Sequence, residues 1–583
     1  MALYNRADDG HNAQDLYYDQ VNTELAAYAL LALGCSAAVL LVWSASSRFS
    51  CYLRQIACLS NKRQQYFRPA RRWLAAIRKH ILYASLFHNR RHREFRLSAA
   101  ANMGALPSRT HSMLLIGILA MNVTLCTVNV PYSSDRAAKV IRNRTGIMAT
   151  MNLIPLVLFA GRNNPLIYIL RVPYDTFNLF HRWLARIVVL QALAHVFAWC
   201  IPKAQEGKPF GWNGVRMSFE DNAFTRTGLV AACAFALLLV HSPFPIRHAF
   251  YETFLHLHIA TAATAFIFLW IHLDGRRAQG FLLGAIILWA VERSARILNI
   301  LYRNCGRSLT TAVVETLPDD ILRIALYMSR PWPVKPGQHV YLYIPAVGIW
   351  TSHPFSVCWS DDEEAGGEDN DNHLHKTAIY LLVRRRSGFT HTLARRAARS
   401  INGVLSVHAV VEGPYGAMDS LDSFGTVLLL AGGVGITHHL LFLSHLVRGH
   451  AMGTVAARRI QLVWAIRSPS YLEWIEEWLG SITLPDKREV QGSTSSTVAS
   501  VLQISVYVTG SCDMDVAQPR LSTMQVVTGR PDFDQLLARE VENQIGAMGV
   551  LCCGSGGFSD DVRRVCREAQ GPTEIVLFEQ SFT

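Results

Sequence analysis

A chain of 583 residues, half of them apolar and carrying a net charge of +13, is too long for one domain. Its 12 cysteines form no CxxC pair and no zinc or iron–sulfur spacing, which argues against those centres and against a disulfide framework. The positive charge is concentrated rather than spread, with 13 Lys and Arg against one acid, Glu94, between Arg48 and Arg96; such an excess between apolar runs marks the cytoplasmic side of a membrane protein, not a nucleic-acid surface.

Residues 1–24 are polar, show no cleavable signal peptide, and are expected as an extracellular N-terminal segment. Apolar runs then follow at 25–43, 113–130, 147–160, 177–199, 227–240, 254–273 and 281–300, seven predicted spans of which the third and fifth are short. With the basic connection inside, the N-terminus lies outside, and seven spans deliver the C-terminal half to the cytoplasm. The sequon at Asn143 then falls in an external loop and is a glycosylation candidate, whereas the one at Asn122 sits within a span and should be silent.

Two of the spans carry histidines at identical spacing, His181 with His195 and His258 with His272. Fourteen residues of α-helix turn through about 1400°, roughly 40° short of four full turns, and rise about 21 Å. Both histidines of a run therefore share a face near opposite leaflets. The topology pairs His181 with His258 toward the cytoplasm and His195 with His272 toward the outside. Polar side chains in a span are costly, and an imidazole that ligates haem iron removes that cost, so two stacked bis-histidine haems are the expected occupants. His256 lies about 200° round the helix from His258 and reads as a packing residue or one supporting the ligands from behind.

From Cys305 onward the text changes to short β-rich runs such as "HVYLYIP" and "AIYLLVRR". The acidic stretch "DDEEAGGEDNDNHLH" that follows "HPFSV" reads as a solvated loop. Further on, "VLLLAGGVGIT" runs from an apolar strand into Gly432, Gly433 and Gly435 and then a helix, and "VLCCGSGG" repeats that order. Glycines let a backbone approach a pyrophosphate, and a helix N-terminus supplies free N–H donors, so the two turns together suggest a dinucleotide domain.

In chain order, "RTGIMAT", "AGRNNPL", "NLFHRWLARIVVLQALAH", "FLHLH", "PGQHVYLYIP", "HPFSV", "VEGPYG", "AGGVGIT", "VWAIR", "CGSGG" and "FEQSF" resemble the fungal ferric reductases of the plasma membrane, relatives of the NADPH oxidases, from about residue 105 to the end. The resemblance implies a multi-domain membrane protein. An all-α transmembrane region over 25–300 holds the haem bundle, a cytosolic β-barrel FAD domain spans 301–420, and an α/β dinucleotide-binding domain spans 421–583, the last two arranged as in ferredoxin-NADP reductase. It makes His181, His195, His258 and His272 the ligands of two haem b groups. His353, Pro354, Phe355 and Ser356 would line FAD, with Ser387, Gly388 and Thr390 near its pyrophosphate. Gly432, Gly433, Gly435, Ile436 and Thr437 would hold NADPH, Cys553 and Gly554 would lie near the nicotinamide, and Phe582 would approach the flavin ring. Arg467 after "VWAI" is either the partner of the 2′-phosphate or an ordinary exposed strand-end cation.

The implied activity is electron transfer from cytosolic NADPH through FAD and both haems to extracellular Fe(III) or Cu(II) chelates, with an iron-uptake permease or oxidase downstream. Basic residues on the outer side, Lys203, Lys208, Arg216, Arg226, Arg276 and Arg277, would draw anionic chelates. Competing readings are a superoxide-generating NADPH oxidase and, from another class, a membrane channel or scaffold with a degenerate reductase domain.

Overall fold

The computed structural model describes residues 2–86, 107–206, 211–306, 308–348, 351–361, 378–386, 388–483, 501–510 and 523–581. Ser387, Phe582, Lys208 and all but the first residue of the acidic stretch lie outside these. The chain divides into two compact units, one built mainly from Met1–Ala45 and Thr110–Ala295, the other from Ser46–Phe95 and Arg296–Thr583.

Each predicted span coincides with a helix, those at 113–130 and 254–273 running three residues and one residue past the helix end: α1 Ala2–Leu59, α2 Arg109–Thr127, α3 Ala137–Ala160, α4 Tyr174–Glu206, α5 Ala223–His241, α6 Tyr251–His272 and α7 Ala278–Asn304. Five of these, α1, α2, α4, α5 and α6, are long and apolar enough to cross a membrane. The other two fall short for reasons visible in their text: α3 carries Arg142, Arg144, Asn152 and Pro155, and α7 carries Glu292, Arg293 and Arg296. Large apolar side chains such as Ile116, Leu190, Phe197 and Ile267 point outward and are exposed, a face that only hydrocarbon satisfies. Inside, α3 packs on α4 and α5 on α6. Leu153, Val188, Phe235, Phe266 and Leu282 make the apolar centre.

A neutral polar cluster is buried among α2, α3 and α4: the Asn152 amide donates to Asn122 Oδ1 (2.6 Å) and Gln191 Oε1 (3.0 Å), and Gln191 donates to Asn122 Oδ1 (3.1 Å). Asn122 is thus buried among its partners. Asn143 departs from expectation. It sits not in a loop but in the second turn of α3, half-buried, with its amide 3.4 Å from Asp19 Oδ1, because the connection after α2 ends at Arg136.

In the second unit, strands β1 Thr311–Leu317, β2 Ile321–Tyr327, β3 Gln338–Tyr343, β4 His353–Ser356, β5 Trp359–Ser360, β6 Ala378–Arg384, β7 Val404–His408 and β8 Val410–Gly416 form two antiparallel sheets, ordered β5-β6-β2-β1-β7 and β4-β3-β8. They close on one core of Val314, Leu322, Ile324, Val340, Leu342 and Val411, capped by Leu393 of α8 (Phe389–Ala397). Then β9 Thr426–Gly432, β10 Arg459–Ile466, β11 Leu502–Val508, β12 Met524–Thr528, β13 Met548–Gly554 and β14 Ile575–Ser581 make a parallel sheet ordered β12-β11-β10-β9-β13-β14. Helix α9 Ile436–Ala451 follows the β9 turn. Separate apolar clusters cover the sheet's two faces, which is why β9 and β13 read as unbroken apolar runs rather than alternating ones.

The described part of the basic connection after the first span packs on the dinucleotide domain. Helix α1 continues to Leu59, and residues 60–83 lie along the dinucleotide domain as a strap. Arg54 donates to Ser423 Oγ (2.7 Å) and stacks over Phe424 (4.2 Å), Arg78 pairs with Glu574 (2.8 Å), and the Leu577 N–H donates to Tyr83 Oη (2.9 Å). Gln64 is fully buried and donates to the Ala456 carbonyl (2.6 Å). Gly425 and Gly546 make room for it, since a Cβ on either would fall within about 2.4 Å of Gln64 Oε1.

Candidate functional site

Within the helical unit, α4 and α6 bring the four spaced histidines together in the expected pairs. Ring centres are 6.3 Å apart for His181 and His258, and 6.4 Å for His195 and His272. Two metal–imidazole bonds of about 2.0–2.1 Å, plus the half-width of each ring, come to about 6.3–6.5 Å between ring centres, so one iron fits between each pair. Among the described residues no three His, Cys, Asp or Glu side chains converge to cage an ion, so each pair offers two imidazoles and no third ligand of those kinds.

Three of the four rings are oriented through Nδ1: His181 to the Leu156 carbonyl (2.9 Å), His195 to Arg142 (2.7 Å) and His272 to Phe224 (2.9 Å). That leaves Nε2 for a metal, the usual division of labour in a ligating histidine. His256 is exposed and bonds the Glu252 carbonyl of its own helix (2.8 Å), away from the pairs as its azimuth requires.

Sequence reasoning missed the small residues that admit the outer rings. A Cβ on Gly146 of α3 or Gly228 of α5 would stand 2.7 Å from the His195 and His272 rings respectively. The signal was present, because both glycines end an Arg-Thr-Gly tripeptide, Arg144-Thr145-Gly146 and Arg226-Thr227-Gly228. Arg144 is fully buried, bonded to Asn22 and to the Leu125 and Val128 carbonyls (2.9 Å each), with Nη2 left unpartnered. Arg276 is held rather than free: its guanidinium stacks over Phe224 at 4.1 Å, and Phe224 in turn stacks on His272 at 4.1 Å.

In the β domain, β4 carries His353, Pro354, Phe355 and Ser356 and pairs with β3, where His339 opposes Ser356. The His353 ring lies 4.5 Å from Phe389, the first residue of α8, so the "HPFS" strand and the "GFT" helix start come together. Gly388 caps that helix at φ +80° with open space where a Cβ would point, and Thr390 Oγ1 accepts from the Arg386 N–H (2.8 Å). A glycine-capped helix N-terminus with open space is a suitable seat for a pyrophosphate. Beneath it Glu412 of β8 is fully buried and accepts from Tyr343 (2.8 Å), Tyr415 (2.9 Å) and Arg296 (2.9 Å), a cluster that sequence reasoning did not single out.

In the parallel sheet the chain leaves β9 toward β10 on one side and returns to β13 on the other, and ligands bind at such a switch point. Gly432, Gly433 and Gly435 lie at the end of β9, and Cys553 and Gly554 at the end of β13. Gly435 must be glycine, since a Cβ would sit 2.2 Å from the Cys553 carbonyl oxygen. Gly433 has φ +55° and open space around it, and Trp464 fixes its carbonyl (2.9 Å). Ile436, Thr437 and Cys553 are buried, so their side chains belong to the core, and burial pushes the Cys553 thiol pKa up and keeps it protonated. Arg467 is exposed just past the end of β10, two residues beyond the register partner of Gly432.

The chain thus joins an apolar helix bundle holding paired imidazoles to an antiparallel β domain and a parallel dinucleotide-type sheet. Family models match in that order: the ferric reductase like transmembrane component over 145–269, an FAD-binding domain over 307–419 and the ferric reductase NAD binding domain over 424–567. The chain has the domain composition of the ferric reductases. It is 26% identical over 486 residues to ferric/cupric reductase transmembrane component 2 of Saccharomyces cerevisiae, covering 79% of this chain and 64% of that protein. It is 24% identical over 518 residues to ferric/cupric reductase transmembrane component 1 of Candida albicans, covering 84% of this chain and 64% of that one. The chain thus spans just under two thirds of the length of these relatives. Among solved structures, a ferredoxin NADP+ reductase from Neisseria gonorrhoeae is similar at TM-score 0.31 and 13% identity, covering 46% of this chain and 97% of that one.

Proposed function

We propose that the chain carries electrons across the plasma membrane, from NADPH on the cytoplasmic side to Fe(III) or Cu(II) chelates outside, where an uptake permease or oxidase would receive the reduced metal. The observation that carries the reading is the pair of imidazole pairs at 6.3 and 6.4 Å, on two helices apolar enough to cross a bilayer. Bound flavin can take a hydride from a nicotinamide and pass electrons on singly, and a haem iron carries one at a time. The protein's own work is to hold these groups in order. His181 with His258 would fix the inner haem and His195 with His272 the outer one, with no protein acid or base needed between them. The 2′-phosphate of NADPH would meet Arg467, and with two imidazoles holding each iron an acceptor outside would be reduced without binding to the metal.

Intact cells expressing the chain should reduce an impermeant Fe(III) chelate, with the rate unchanged by superoxide dismutase and retained under nitrogen. Reduction that disappears with dismutase or without oxygen would make superoxide the product and assign the chain to the oxidases.

The dinucleotide turn makes a separate prediction. Gly433→Asn, which tolerates a positive φ, should raise the KM for NADPH about tenfold, equivalent to ~1.4 kcal/mol, by placing a side chain where a phosphate approaches, with thermal stability unchanged. Gly435→Ala should instead lower stability, because its Cβ meets backbone. Both are read by NADPH kinetics alongside thermal unfolding; an unchanged KM in Gly433→Asn refutes the seat.

A further inference from the structure

The inner pair is asymmetric. His181 has a backbone carbonyl for its Nδ1, as do His195 and His272, but the Nδ1 of His258 is buried with no hydrogen-bond partner. The neighbouring ring is that of His241, the last residue of α5, with its centre 5.7 Å from the His258 ring at an interplanar angle of 64°. His241 is itself buried, its Nδ1 bonds the Leu237 carbonyl (2.5 Å), and its Nε2 is also buried without a partner. Adjacent rings therefore each carry one orphaned nitrogen. A buried polar atom left unpaired costs about 1–3 kcal/mol, so two facing orphans are a standing incentive to pair.

Their chemistry is complementary. A neutral imidazole has one N–H and one lone pair. Donation from His241 Nδ1 to a carbonyl makes its Nε2 the lone-pair nitrogen, an acceptor. A His258 that presents Nε2 to a metal carries its proton on Nδ1, a donor. Ring centres 5.7 Å apart are within about half an ångström of hydrogen-bonded contact, a shift that seating a ligand on His258 could supply.

We propose that His241 is a positioning residue for the inner haem: its Nε2 accepts the Nδ1–H of His258, replacing the backbone carbonyl that serves the other three ligands. An acceptor behind a ligating imidazole fixes its tautomer and raises its basicity, and such partners are typically worth 10–100-fold in metal affinity. A more basic ligand favours ferric over ferrous iron. The inference rests on the haem reading of the site and assigns this chain a side-chain partner at one ligand of the inner pair.

The test is a redox titration, followed optically with low-spin EPR, of the full-length protein as wild type, His241→Leu and His241→Gln, the inner step being the one lost in His258→Leu. In His241→Leu the inner haem should become easier to reduce by about tenfold, ~59 mV for one electron, and should be lost sooner to a haem-scavenging protein, while the outer haem keeps its potential. In His241→Gln, whose carbonyl oxygen can accept, most of the wild-type potential should return. An unmoved inner potential in His241→Leu, equal shifts in both haems, or no recovery in His241→Gln would each overturn the proposal while leaving the electron-transfer reading intact. A wild-type protein without two low-spin haems would overturn that reading and this proposal with it.

Discussion

Replacing His258 by leucine should abolish the inner low-spin haem and all chelate reduction by intact cells, while His256→Leu should leave both near wild type. The two histidines are two residues apart on α6, yet the His258 ring stands 6.3 Å from His181 whereas His256 is exposed and bonded to its own helix. Leucine restores the bulk of an imidazole on an apolar helix, so folding should survive and the loss should be one of ligation. The measurement is the reduced-minus-oxidised spectrum together with the reduction rate. Equal haem loss in the two variants would refute the pairing, and retained reduction in His258→Leu would refute the electron path.

The largest effect on stability is expected at Glu412. It is fully buried in β8, holds Arg296 at 2.9 Å and accepts from two tyrosine hydroxyls. Glu412→Ala removes the carboxylate shared by Arg296 and both tyrosine hydroxyls, although Arg296 still donates to Tyr343 Oη (2.6 Å), and breaking a buried pair from one side costs about 3–5 kcal/mol. For a domain of this size that is a fall in Tm of well over 10 °C, with flavin lost in parallel. Glu315→Ala is the control. Its bond to Arg323 (3.0 Å) is part-exposed, and such pairs are worth about 1 kcal/mol or less. Thermal unfolding followed by flavin fluorescence separates the two. Similar shifts would mean that the Glu412 cluster contributes no more than a surface pair.

What could be read from the sequence was whatever repeats with a helical or strand period. The interval of 14 between histidines sets both face and depth in any α-helix, so the partners His181–His258 and His195–His272 followed once the topology was drawn. The Gly432–Gly435 turn was equally legible, because only glycine lets the turn approach the Cys553 backbone. Contacts between distant segments with no period of their own were not legible. Gly146 and Gly228 matter only because α3 and α5 pass the outer rings. The Asn122–Asn152–Gln191 cluster needs three helices, and Glu412 meets Arg296 across more than a hundred residues. The docking of the basic run was not legible either, because charge statistics carry no information about partners such as Ser423 for Arg54 and Glu574 for Arg78, which lie hundreds of residues away. Asn143 failed for a simpler reason: α3 begins at Ala137, nearly three turns before the apolar run does.

The strap also sets a timetable for synthesis. Arg54 and Ser423 are 369 residues apart, and Tyr83 and Leu577 are 494 apart. At about 5–20 residues per second, the ribosome needs roughly 20–100 s after making the strap to make the surface it docks on. During that interval its aromatic and arginine side chains, and the fully buried Gln64, have no native partner, beside a membrane into which the next helices are being inserted. The dinucleotide domain cannot close until β14, its final strand, has left the ribosome. A fragment that starts after residue 86 would therefore lack a piece of that domain, and a nascent chain stalled before residue 575 would display an unfilled groove to any chaperone or protease that meets it.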